Sequence, residues 1–259
     1  MPSQKVAPKA RAAALKALEL DNTLAEAQTS LATVRFNYDW DGAAAAAGFQ
    51  RSIELNPSHA TAYQRYSLYL MAMGRTQESL TQMNRARDLD PLSISMNFSL
   101  GWRLDMAHQY DQAIEQLRNT LDMDPNFALP RMVLCQAYEQ KGFYQQAIAE
   151  LQKAASISHD SSQMLGALGH AYGASGNRSD AEKVLGQLMD QSKKPYISPF
   201  YVAIDYAGLG ENDHALDWLE KAYKDRSNAI VFSKVDPQLD SLRSTPGFQS
   251  LLRRLAWQN

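Results

Sequence analysis

The sequence predicts an all-α solenoid built from helical hairpins that repeat about every 34 residues. The first observation is the spacing of Pro57, Pro91 and Pro125, which stand 34 residues apart and close similar phrases. The second observation is that small residues recur at fixed places in the same frame. The third is that bulky apolar residues recur between them at helical spacing. A hairpin cannot bury such a face alone, so neighbouring repeats must stack.

The frame predicts two helices in each repeat. When the proline is numbered 32, positions 4, 7, 8 and 11 share one face of a first helix, and positions 20, 24 and 27 share one face of a second. Position 8 is small throughout: Ala32, Ser67, Gly101, Cys135, Gly169 and Ala203. Position 20 is also small: Ala45, Ser79, Ala113, Ala147, Ala181 and Ala215. These small residues let the paired helices approach closely.

A turn is predicted between the two helices, at position 15. This position holds Gly74, His108, Gly142, Gly176 and Gly210. Glycine is the usual residue just past a helix end, because it adopts the left-handed conformation without steric cost.

This frame resembles the tetratricopeptide repeat, and the resemblance implies a right-handed superhelix. It places a leading half-repeat in residues 1–24 and six full repeats in 25–227. These six lie at 25–57, 60–91, 94–125, 128–159, 162–193 and 196–227. The repeat at 25–57 carries one extra residue. We expect Tyr38 to Asp41 to form an enlarged turn there, with Asp41 capping the next helix and Trp40 packing on it.

Residues 228–259 leave the period and predict a turn-rich segment followed by one more helix. The segment from Ala229 to Ser244 carries apolar residues without helical spacing, whereas Phe248, Leu251 and Leu255 recur at helical spacing after Pro246. We expect this last helix to cover the apolar end of the stack around Trp218, Leu219 and Ala222.

The leading half-repeat suggests that the chain is a fragment, since the first helix of that hairpin is missing. We expect Ala7 to Leu20 either to fray or to dock on a second copy, which predicts a monomer or a weak homodimer through this end. Phrases such as Val235-Asp236-Pro237 resemble the C-terminal repeat regions of bacterial winged-helix regulators, serine/threonine kinases and nucleotide cyclases. That resemblance implies a cytoplasmic or, behind a membrane span, a periplasmic location.

Composition and motifs argue against several classes of function. With 26 basic and 28 acidic residues, the net charge of −2 provides no bulk attraction to nucleic acid or to an anionic membrane. The single cysteine, Cys135, stands at the small position 8 and is interpreted as structural. The five histidines show no metal-ligand spacing. No nucleophile, acid and base converge, so we expect no catalysis, no cofactor and no metal.

Candidate binding residues lie at positions of the first helix that packing does not require. In tetratricopeptide proteins that helix lines the concave groove of the superhelix. An apolar groove with a few polar guides is predicted from Arg65, Leu68, Phe98, Trp102, Asp105, Met132, Gln136, Glu139, His170, Phe200 and Ile204. The alternative is that Phe98 and Trp102 seal the joint between adjacent repeats.

These observations predict a non-enzymatic module that binds a peptide or protein segment in its groove, within a larger bacterial signalling or transcriptional regulator. The alternative function is small-molecule sensing, in which a ligand fills the groove instead.

Overall fold

The structure, a computed structural model, describes residues 3–158, 161–191 and 198–255. Fourteen α-helices lie in these ranges. They are α1 Ser3–Leu20, α2 Ala25–Val34, α3 Gly42–Leu55, α4 Ala60–Ala72, α5 Thr76–Leu89, α6 Ile94–Met106, α7 Tyr110–Met123, α8 Ala128–Gln140, α9 Tyr144–Ser158, α10 Ser162–Ala174, α11 Arg178–Gln191, α12 Pro199–Gly208, α13 Asn212–Lys224 and α14 Pro246–Leu255.

Helices α2 to α13 form six successive hairpins, in each of which a first helix packs against the helix that follows it. Each first helix also packs against the first helix of the next hairpin, most extensively α10 against α12. The predicted all-α solenoid is therefore confirmed. Within the described ranges, no helix combines the length and the apolar character that crossing a membrane requires.

The predicted turn at position 15 is confirmed in five hairpins. The four glycines there have φ between 73° and 81°, and His108 has φ 59°. In the hairpin around Gly142, the Gly142 amide donates to the Glu139 carbonyl, and the Phe143 amide donates to the Tyr138 carbonyl. These bonds satisfy carbonyls that the end of α8 would otherwise leave unpaired.

The small frame positions lie where helices meet. A Cβ built on Gly101 would stand 2.6 Å from the Leu117 side chain, so position 8 faces position 24 within that hairpin. Ala147, at position 20, is completely buried. Close helix approach at these positions is therefore confirmed.

The extra residue of the first full repeat is absorbed by a π-helical turn at Arg35–Asp39. Trp40 follows in the left-handed conformation, with φ 58°, and takes the role that glycine has in other repeats. Asp41 caps α3 as predicted, since its carboxylate accepts from the Ala44 amide at 2.9 Å. The Trp40 ring lies 5.2 Å from the ring of Tyr223, on the last hairpin.

Residues 228–242, which we call the inserted segment, follow α13 and run along the first helices of the hairpins. They contain two short 3₁₀ helices, at Asn228–Phe232 and Pro237–Leu242. The first 3₁₀ helix contacts α4, and the second contacts α8 and α12. The segment therefore lies on the groove side of the solenoid, a position that the prediction of a turn-rich segment did not include.

Helix α14 lies on α13, where Arg254 pairs with Glu220. Its apolar face reaches further than predicted, since Phe248, Leu251 and Leu255 belong to one buried cluster with Phe49 of α3 and Tyr69 of α4. The helix therefore joins the last hairpin to the first two.

The first and last hairpins also meet directly. The Arg226 guanidinium donates to the Tyr38 carbonyl at 2.8 Å and lies 4.9 Å from the centre of the Trp40 ring. The solenoid consequently closes on itself, with the inserted segment inside the closure.

Candidate interaction groove

The structure brings most of the predicted groove residues together beneath the inserted segment. Arg65 is the exception, because its side chain is exposed. Phe98 and Trp102 are half-buried. The remaining predicted residues are buried: Leu68, Asp105, Met132, Gln136, Glu139, His170, Phe200 and Ile204. Their burial follows largely from packing against neighbouring repeats and the chain's own C-terminal region.

The aromatic residues of α6 form a stack that receives the inserted segment. Phe98 lies parallel to Trp102, with ring centres 6.2 Å apart, and Phe127, the N-cap of α8, packs edge-on against Phe98 at 5.3 Å. Phe232 of the inserted segment packs edge-on against Trp102 at 5.5 Å. Phe98 therefore contributes to a joint between repeats, whereas Trp102 also contacts the segment in the groove.

Polar side chains of α8 hold the second half of the inserted segment. Gln136 donates to the side-chain oxygen of Gln238 at 2.7 Å, and this contact is buried. Gln140 donates to the Pro237 carbonyl at 3.3 Å. Two successive residues of the segment are thus bound by amides one helical turn apart.

A buried ion pair extends this network to α10. The Nδ1 atom of His170 lies 2.6 Å from Glu139 Oε2, and its Nε2 atom lies 3.1 Å from the Gln238 carbonyl. A protonated imidazole, which donates from both ring nitrogens, satisfies the Glu139 carboxylate and the Gln238 carbonyl together. Burial alone would lower the pKa of His170, but the Glu139 carboxylate, together with Asp236 and the Gln238 carbonyl, raises the pKa overall.

Cys135 completes the network on α8. Its thiol donates to Glu139 Oε1 at 2.8 Å, and its side chain is completely buried. Burial, followed by the neighbouring Glu139 carboxylate, raises the pKa of the thiol well above its usual range. These contacts favour the structural interpretation of this cysteine, because a reactive thiol requires an accessible thiolate.

Two other acidic side chains are completely buried without a hydrogen-bond partner among the described residues. They are Asp105 at the end of α6 and Asp205 on α12. Burial raises the pKa of Asp105 well above its usual range, and the carboxylates of Asp236, Glu139 and Asp240 raise it further. Burial also raises the pKa of Asp205 to about 8, against a smaller opposing effect of His170.

A cavity of about 220 Å³ lies between the groove and the inserted segment. Its walls include six predicted residues: Leu68, Trp102, Asp105, Met132, Gln136 and Phe200. The other lining residues were not predicted: Asn37, Met106, Gln163, Tyr201, Asn228, Ala229, Phe232, Asp236 and Pro237.

The unpredicted residues fall into two groups with different signals. Those of the inserted segment carry a usable signal, because apolar residues without helical spacing, such as Ala229 and Phe232, need a surface to cover. Those of the first helices, such as Gln163 and Tyr201, stand at frame positions where the residue type varies from one repeat to the next. Their role depends on where the segment crosses, and internal comparison of the repeats does not show this.

Within the described residues, no group of three or more His, Cys, Asp or Glu side chains is arranged to hold a metal ion.

Comparison with known proteins identifies the repeats. Residues 106–165 match the family model of the tetratricopeptide repeat. The predicted resemblance to the tetratricopeptide repeat is therefore confirmed for this part of the chain. No curated protein matches the sequence.

Solved structures of tetratricopeptide and related solenoid proteins share the fold. The anaphase-promoting-complex hetero-tetramer Cut9–Hcn1 aligns with a TM-score of 0.67 at 16% identity, covering 96% of this chain and 46% of that chain. A thermophilic tetratricopeptide protein of Thermus thermophilus, TTC0263, aligns with a TM-score of 0.54 at 23% identity, covering 75% and 99% respectively. MamA from Desulfovibrio magneticus aligns with a TM-score of 0.53 at 16% identity, covering 67% and 97%. At these identities the likeness concerns the fold.

Proposed function

We propose that this chain is a non-enzymatic interaction module whose groove binds a polypeptide segment, and that the inserted segment occupies the same groove as a partner would. The fold is one that serves protein–protein interaction. One observation supports the finer proposal: groove side chains already bind a polypeptide, since Trp102 packs on Phe232 and Gln136 binds Gln238.

Competition follows from this arrangement. A partner that used Trp102 and Gln136 would have to displace Phe232 and Gln238, so the inserted segment would limit binding until it moved. An aromatic anchor and a buried amide contact are the kinds of interaction that dominate peptide affinity. The partner therefore resembles the segment in chemistry: an aromatic residue followed, several positions later, by a hydrogen-bonding side chain.

The test uses the full chain and a labelled synthetic peptide with the sequence of residues 228–243. Replacing both Phe232 and Gln238 by Ala in the chain should loosen the segment, and fluorescence anisotropy should then show peptide binding at least about tenfold tighter than to the unchanged chain. A peptide carrying the same two alanines is the matched control and should bind weakly to both. Equal, weak binding of the peptides to the loosened chain would contradict the proposal.

The further predictions about partners stay open to experiment. We propose that this part of the chain binds no nucleic acid directly, that it belongs to a larger bacterial signalling or transcriptional regulator, and that it is a monomer or a weak dimer through α1. The packing of α1 along α2, with Ala7 and Ala14 buried, is compatible with either oligomeric state.

The alternative function, small-molecule sensing, is supported by a different observation. The cavity beneath the inserted segment joins an apolar wall to buried polar groups, which is the usual character of a small-molecule site.

A further inference from the structure

We infer that the cavity between the groove and the inserted segment binds a small organic cation, an ammonium group on an apolar body, with Asp105 as its counter-ion. This inference does not depend on peptide binding, because it concerns the space that remains while the inserted segment is in place. It names the ligand class for the sensing alternative.

The first step of the argument is the position of the Asp105 carboxylate. Asp105 lines the cavity, its side chain is completely buried, and both of its oxygens are without a hydrogen-bond partner among the described residues. A buried polar group that has no partner costs folding free energy, so a native structure that keeps one calls for an explanation. A cationic donor in the cavity would supply the missing hydrogen bonds, and its charge would favour the ionised form of Asp105, which burial and the neighbouring carboxylates otherwise disfavour.

The second step is the sign of the surrounding charge. Asp236, from the inserted segment, lines the same cavity and places a second carboxylate there. No lysine, arginine or histidine lines it within the part of the chain that the structure describes. The neighbouring cation on α6, Arg103, instead donates to Ser67 at 3.2 Å and lies over the Trp102 ring. The ionisable side chains on the wall are therefore both acidic, which favours a positive ligand over an anion.

The third step is the rest of the wall. Trp102, Phe200, Tyr201 and Phe232 contribute aromatic rings, which attract cations over their faces and apolar groups alike. Leu68 and Met132 add aliphatic surface. A ring-bearing or branched ammonium ion fits this combination better than a fully hydrated metal ion, which would leave the apolar wall without a matching surface.

The fourth step is size. An apolar cavity of about 150 Å³ is enough to hold benzene. A cavity of about 220 Å³ therefore holds a ligand of on the order of ten non-hydrogen atoms. Asn37, Gln163 and Asn228 on the wall can accept or donate a further hydrogen bond and thereby orient the ligand.

The probe is 2-phenylethylamine, which is protonated at neutral pH, and its uncharged counterpart is 2-phenylethanol. Isothermal titration calorimetry on the full chain should show saturable binding of the amine at one site and no comparable binding of the alcohol. Equal binding of the two compounds, or no binding of the amine, would overturn the inference. Binding of potassium or calcium ions that is as strong as binding of the amine would also overturn it.

Two isosteric variants assign the counter-ion. Asp105→Asn should weaken amine binding by about tenfold or more, because a hydrogen bond to a charged group is lost. Asp205→Asn is the matched control, since Asp205 is equally buried and unpartnered but does not line the cavity. It should leave the affinity unchanged. Circular dichroism and melting of Asp105→Asn should confirm that the variant is folded. Unchanged affinity in a folded Asp105→Asn, or an equal loss in Asp205→Asn, would contradict the assignment.

Discussion

At the scale of single residues, the molecule places ionisable groups where only packing would be expected. Glu139 and His170 offset the cost of burial as a pair, since they lie in contact as an ion pair and each makes a further hydrogen bond. The Asp205 carboxylate has no hydrogen-bond partner among the described residues. It lies against the backbone of Gly169, where any side chain would collide with it, so the small residue at that frame position is required by its neighbour on α12.

Asp205 gives the first prediction at this scale. Its folded-state pKa of about 8 lies above the ordinary value of 3.8, so its contribution to stability is full below about pH 4 and is lost as pH rises through 8. The asparagine of Asp205→Asn does not titrate, so the variant lacks this pH-dependent loss. The gain in free energy of unfolding that the substitution gives over the unchanged chain should be several kcal/mol larger at pH 8 than at pH 4. Urea unfolding at both pH values measures this difference.

The control for this prediction is Asp217→Asn, an exposed position on α13. It should change the free energy of unfolding by less than about 0.5 kcal/mol at either pH. If the benefit of Asp205→Asn were the same at pH 4 and pH 8, the raised pKa would be wrong.

At the scale of helices, one frame of small and large positions describes the six hairpins. Position 20 is the clearest example, because Ala147 is completely buried between helices whereas Gln145, two residues earlier, is exposed. The two positions lie on one helix, α9, and differ only in the face that they occupy.

The corresponding prediction compares two glutamates. Ala147→Glu should lower the free energy of unfolding by several kcal/mol, since it buries an unpaired charge and overfills a close helix contact. Gln145→Glu should change it by less than about 0.5 kcal/mol. Urea unfolding midpoints measure both, and similar midpoints would show that the frame is misplaced in this repeat.

The same scale shows what the sequence could predict. Helices, turns and their register follow from local rules, as the left-handed Gly142 and the Asp41 cap demonstrate. The extra residue near Tyr38 could be counted, but its π-helical form depends on how the chain accommodates it. The path of the inserted segment could not be predicted, because Phe232 and Gln238 find their partners on helices far away in sequence. The burial of Asp105 follows from that path and was missed with it.

At the scale of the whole molecule, closure distinguishes this chain from an open repeat array. In an open solenoid each repeat contacts only its neighbours, so stability is a sum of local terms and the ends fray independently. Here the first full repeat contacts the last through Trp40 and Tyr223, and α14 shares a buried cluster with α3 and α4. We therefore expect the two ends to unfold together.

Tyr223→Ala tests this expectation. Loss of the ring contact with Trp40 and of the Arg254 guanidinium stacked on Tyr223 should cost about 1 to 3 kcal/mol. It should also increase the radius of gyration measured by small-angle X-ray scattering, as the ends separate. Tyr144→Ala, at a half-buried position in the middle of the stack, is the control and should leave the radius unchanged. Equal radii for both variants would show that this contact does not hold the closure.

The closure has a mechanical consequence. The softest motion of an open helical solenoid widens or narrows its groove, as in a spring. In this chain the two ends are in contact, and the inserted segment connects the helices from inside the groove. Within the inserted segment, Lys234 donates to the Met73 carbonyl at 3.0 Å, and Gln238 is bound by side chains of α8 and α10. Any change in groove width must therefore strain the contacts of the inserted segment. A ligand in the cavity and the distance between α2 and α13 should consequently influence each other.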